Sequence, residues 1–154
     1  MNRITRVDVA ATMRVAEEMY PENLRRFLRY DLFTSDPMFA GYDCGGSATG
    51  GRSLSNTAHV KYPDRAPDKR MTVVIPEKYI GIAYSVHELA HVLHHNINFD
   101  VIVHPVTRYA EENYWEAFAE FVTAWLIPGY LRHDPRGVNW IQPQQFAIQA
   151  LESL

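Results

Sequence analysis

The chain has one cysteine, Cys44, so no intrachain disulfide can form and folding does not depend on an oxidising compartment. That lone thiol reads as a bystander rather than an inhibitory ligand. No leader is expected either, since MNRITRVDVAATMRVAEEMY carries charges at positions 3, 6, 8 and 14 and no apolar core and so does not read as a signal peptide. The expectation is a protein acting in the cytoplasm where it is made, with export or virion association left open. No apolar run approaches the roughly 20 residues of a membrane-spanning helix, so no membrane partner is expected. Excess positive charge is also absent, since 15 Lys and Arg stand against 18 Asp and Glu for a net charge of −3. Nucleic acid is therefore not an expected partner. Nor does a lysine follow GGSATGG at the spacing of a phosphate-binding loop, which removes the nucleotide reading of that stretch.

What is present centres on residues 82–95, IAYSVHELAHVLHH. Helical residues four apart share a face, so His87 and His91 can reach one ion while Glu88 leans beside them. Shuffling this composition would give His-Glu-x-x-His about 0.02 times per chain, so accident is a poor explanation. Two neutral imidazoles that hold Zn²⁺ beside a carboxylate able to take a proton from water are the working parts of a zinc peptidase. Ile82, Val86, Leu89, Ala90 and Leu93 form an apolar stripe next to that face, which predicts a helix ending near Asn96 in the wall of a cleft.

A third ligand is needed. His94 and Ile97 occupy the places where a metzincin would have its glycine and third histidine, so the ligand must come from elsewhere. Residues 113–128, NYWEAFAEFVTAWLIP, predict a second, strongly apolar helix stopped by Pro128-Gly129. Glu116 and Glu120 lie four apart on it, and two carboxylates on a buried helix call for cationic compensation. The assignment is Glu116 as third metal ligand and Glu120 as the acceptor that fixes a ligand histidine. The bland alternative is a solvated acidic face made of Glu111, Glu112, Glu116 and Glu120.

The segment TRYAEENYWEAFAEF resembles the catalytic domain of anthrax lethal factor and its relatives, with Tyr109, Asn113, Glu116, Phe118, Ala119 and Glu120 in register. It is also similar to the repressor-cleaving metallopeptidases of the ImmA/IrrE group through Glu116-Ala117 to Pro128. Ala90 departs from the glycine usual before the second histidine. The resemblance covers about residues 70–150. It implies a compact zincin-like α+β domain, with a small mixed sheet packed on the HExxH helix and on a second ligand-bearing helix. It further implies a zinc endopeptidase in which Tyr109 donates to the oxyanion, with Tyr114 as the fallback. The substrate would be a protein or peptide, and a phage or bacterial source would suit it. Two other readings are a non-catalytic or latent binding module and a regulator that cleaves one protein such as a repressor.

The remaining stretches complete a single domain over residues 1–154, with N-terminal helices at about 5–31, a Gly-rich loop at about 40–57 and the metal core at about 70–150. Residues 5–19 predict a helix burying Val7, Ala10, Ala11, Val15 and Met19. Residues 22–31 predict a second, with Leu24, Phe27 and Leu28 inward and Arg25, Arg26 and Arg29 outward. AHVKY at 58–62 and MTVVI at 71–75 read as strands, the latter placed to pair with an extended substrate. His94, His95 and His104 are further imidazoles near the site in sequence, and His95, four after His91, reads as structural or exposed. A tail helix begins near Pro143 and docks through Phe146, Ile148 and Leu151.

Overall fold

A computed structural model describes residues 6–34, 58–61, 71–75, 79–131 and 144–154. In order these form α1 (Arg6–Glu18), α2 (Glu22–Arg25), β1 (Tyr30–Thr34), β2 (His59–Lys61), β3 (Met71–Ile75), α3 (Ile82–Asn96), a 3-10 turn (Tyr109–Glu111), α4 (Tyr114–Leu126) and α5 (Gln145–Glu152). The architecture is mixed and dominated by helix, with one small sheet. Cys44, Pro143 and the whole Gly-rich loop at 40–57 lie outside the described residues.

The sheet order is β1-β3-β2. β1 runs parallel to β3 from Tyr30 opposite Met71 to Thr34 opposite Ile75. β2 runs antiparallel to it, His59 opposite Val74 and Lys61 opposite Thr72. This corrects the expectation that MTVVI pairs with substrate, because both of its edges are taken by neighbouring strands. Met71, Val73, Val74 and Ile75 are all buried without alternation, as in a strand covered on both faces. Residues 22–31 were expected to be helix throughout; α2 instead stops at Arg25 and the chain extends into β1 from Tyr30.

α3 and α4 make the most extensive contact in the molecule, and α1 packs along α3 on another side. Between them Val86, Leu89, Ala90, Leu93, Phe118, Phe121 and Val122 are fully buried and join α1, β3 and α5 in one core. The buried face of α1 is Val9, Met13, Ala16 and the following Tyr20; of the expected face, Met19 packs partly buried against the core, whereas Ala11 and Val15 are exposed, Val15 by 44%. Tyr20 decides the rotation, since its hydroxyl donates to the Val86 carbonyl at 2.6 Å and holds α1 to the back of α3. Arg25 caps the same helix through the carbonyls of Tyr20 and Glu18.

At the far end α5 buries Ala147, Ile148 and Leu151, while Phe146 is 78% exposed and docks nothing. Asn23 donates to the carbonyl of Leu151 at 3.0 Å, anchoring α5 to α2. Asn96 ends α3 without a left-handed turn; the chain leaves through extended Ile97, and the Asn96 amide donates to the Phe27 carbonyl. No described helix is long and apolar enough to cross a membrane.

The rotation of α1 is testable. Met13→Ala should cost about 2–5 kcal/mol of unfolding free energy, and Val15→Ala should stay within about 0.5 kcal/mol. Urea titrations of both variants check this, and similar losses would show that the helix is turned otherwise.

Candidate metal centre

His87 and His91 stand one turn apart on α3, with ring centroids 4.9 Å apart. One donor atom each from His87, Glu88 and His91 falls within 4.8 Å of the others, a group that could hold a metal ion. The first turn of α4 faces them. There Glu116 Oε1 lies 3.2 Å from His87 Nε2 and 2.6 Å from His91 Nε2. α4 is arranged to offer this carboxylate: Asn113 caps the helix by accepting the Glu116 N–H at 2.9 Å. A glutamate three residues past the cap often folds back on it, whereas this one points across to the imidazoles. Its place in the first helical turn also favours the anion.

Two ligands held tetrahedrally at 2.0–2.2 Å from one ion lie roughly 3.3 Å apart. The His87 to Glu116 separation already fits. The His91 to Glu116 separation is that of a hydrogen bond, so the carboxylate would have to withdraw by a fraction of an ångström to share a cation. Glu88 supplies a second sign. It is buried, yet Oε2 finds no hydrogen-bond partner among the described residues. Burial pushes its pKa up, opposed by the positive charge of His87 and His91. A bare carboxylate oxygen inside a protein is costly unless water or a ligand meets it, so this donor set fits a cation with open coordination.

Glu120 completes the group one turn further along α4. Its Oε2 accepts from His87 Nδ1 at 2.9 Å and from the Tyr130 hydroxyl at 2.8 Å, and its Oε1 accepts from Thr107 at 2.8 Å. With Nδ1 donating to Glu120, Nε2 is the nitrogen left to face Glu116 and the ion site. Burial would lower the His87 pKa, but hydrogen bonds to Glu116 and Glu120 outweigh it and raise it to about 10. Against the opposing effect of burial, these contacts hold the Glu116 and Glu120 pKa values below the ordinary carboxylate range.

Tyr109 is half exposed on the 3-10 turn, its ring 5.9 Å from that of His87 and its hydroxyl donating to Glu116 Oε2. Burial and then Glu116 push its pKa up. The hydroxyl of Tyr114, the fallback, donates to the Val101 carbonyl at 3.0 Å. His94 points into the core, stacked on Phe118 at 4.0 Å and beside Trp115 at 4.5 Å, where burial lowers its pKa to about 4. His95 is exposed at the rim. The His104 backbone is bridged by the Gln144 amide. Sequence reasoning missed Thr107 and Tyr130, whose hydroxyls carry no motif and reach Glu120 only through the fold.

Two cavities adjoin the group. One, of about 480 Å³, is walled by Tyr79, Ala83, Tyr84 and Tyr130 beside His87 and Glu88. The other, of about 690 Å³, runs past His91, Glu116 and Trp115 along Ala58, His59 and Val60. Glu88 and Tyr109 border both. The chain matches no family model, no curated protein and no solved structure.

The charge pattern predicts a pH response of the metal-free protein. The His87 pKa of about 10 lies above its ordinary 6.5, so the stability from its carboxylate contacts is complete below about 6.5 and lost as pH rises towards 10. Glu116 and Glu120 shift downward, so their share is present above 4.5 and lost in acid. In chelator-treated protein the urea midpoint should therefore fall more steeply between pH 7 and about 10 in the wild type than in His87→Ala. Equal slopes would contradict the pairing.

Proposed function

We propose that the protein is a zinc-dependent endopeptidase of zincin-like fold, with His87, His91 and Glu116 as ligands and Glu88 as general base. The observation that carries this reading is the reach of Glu116 Oε1 to both Nε2 atoms from a separate helix. The resemblance of TRYAEENYWEAFAEF to lethal factor relatives supports the same ligand set. Glu88 also has an oxygen close enough to complete a ligand trio. Glu116 is the better ligand because it touches both imidazoles, which leaves the bare Glu88 oxygen for a reacting water.

When bound, zinc supplies Lewis acidity that brings the pKa of a water from 15.7 towards about 7. Glu88 then needs no extreme basicity of its own: it takes the proton of the attacking water and returns it to the leaving amine. Its buried setting keeps bulk solvent from competing for that proton. Tyr109 exchanges Glu116 for the oxygen of the attacked carbonyl and steadies its growing negative charge. Glu120 holds His87 in the ligating tautomer throughout. Since β3 is enclosed, the backbone of an extended peptide would lie along the rim formed by Ala58, His59 and Val60.

Zinc-loaded Glu88→Gln should retain about one metal per chain and lose about 10²–10⁴-fold in peptide hydrolysis. Undiminished turnover in that preparation would end the mechanism. Tyr109→Phe should lower kcat by about 10²-fold with zinc content unchanged, read by steady-state kinetics and metal analysis.

A further inference from the structure

We propose that Thr107 and Tyr130 are positioning residues for the metal centre: through Glu120 they fix the ring of His87 so that Nε2 faces the ion. This rests on the metal-site reading above and extends it to two side chains that approach no ligand position themselves.

An ionised carboxylate offers about four acceptor sites, and three on Glu120 are filled. Oε2 is shared by His87 Nδ1 and Tyr130, and Oε1 is taken by Thr107. The direction of the Thr107 hydroxyl is set, because its oxygen accepts the Ala110 N–H at 3.1 Å and the proton is left for Glu120. Thr107 thus ties Glu120 to the turn that carries Tyr109. Tyr130 comes from the opposite end of α4. After Pro128 the chain reverses through Gly129 at a φ of 79°, a left-handed conformation that glycine adopts without strain. The reversal brings the Tyr130 hydroxyl back over the helix.

One carboxylate is therefore gripped at each oxygen by a different chain segment. Rotating it away from Nδ1 would break at least one of these bonds at a buried residue. Glu120 sits among fully buried Ala119, Phe121 and Val122, which supply no alternative donor. A histidine without a fixed acceptor at Nδ1 is free to carry its proton on Nε2 instead, and that tautomer cannot bind an ion through Nε2. Tyr130 also walls the 480 Å³ cavity beside Glu88, so the clamp stands within reach of anything that fills it.

The test uses the full chain as Thr107→Val, Tyr130→Phe, their double variant, and Thr107→Ser, which keeps the hydroxyl. Zinc dissociation constants come from competition with a chelator. The His87 Nδ1–H proton is followed by NMR in metal-free protein. Val and Phe variants should each bind zinc about tenfold more weakly, the double variant more weakly still, and Thr107→Ser within about threefold of wild type. The Nδ1–H signal should shift or exchange faster in the double variant. Wild-type zinc affinity in the Val and Phe variants, or equal losses for Val and Ser, would overturn the clamp. If the double variant does not fold, the single variants decide. Should the wild type bind no zinc, the metal reading fails on its own, and the Nδ1–H signal still judges the clamp, which falls if that signal is unchanged.

Discussion

Two imidazoles and three carboxylates share the seam between α3 and α4, and the molecule has to satisfy that buried charge before it can do anything else. His87 and His91 meet Glu116, and His87 meets Glu120; in return hydrogen bonds to both carboxylates raise the basicity of His87. Everything nearby serves this seam. Asn113 aims Glu116, and Tyr20 pins α1 to the helix behind. Glu88 is the exception, with an oxygen that nothing in the described chain satisfies.

Much of this was legible in the sequence. His87, Glu88 and His91 followed from helical spacing, and α3 ends at Asn96, where it was expected to end. Glu116 and Glu120 stood out because acidic residues on so apolar a segment need a partner, and the structure turns both towards His87. Tyr109, placed by resemblance, lies at the same group.

Other parts were hidden for physical reasons. α1 offers apolar residues all around, so periodicity could not choose a face; one distant hydrogen bond from Tyr20 chose it. The central position of β3 had a signal that went unread, because MTVVI does not alternate. Thr107 and Tyr130 left no trace, since both flank α4 in sequence and meet at Glu120 only once the Gly129 turn has formed. Local pattern reports what an element buries; it is silent on which remote hydroxyl will reach it.

The paired cavities have a consequence for what can be cut. With space on both flanks of Glu88 and Tyr109, a polypeptide can lie across the partition by its middle, and no free amino or carboxyl terminus has to be gripped. Within the proposed reading this geometry would suit internal scission rather than end-trimming.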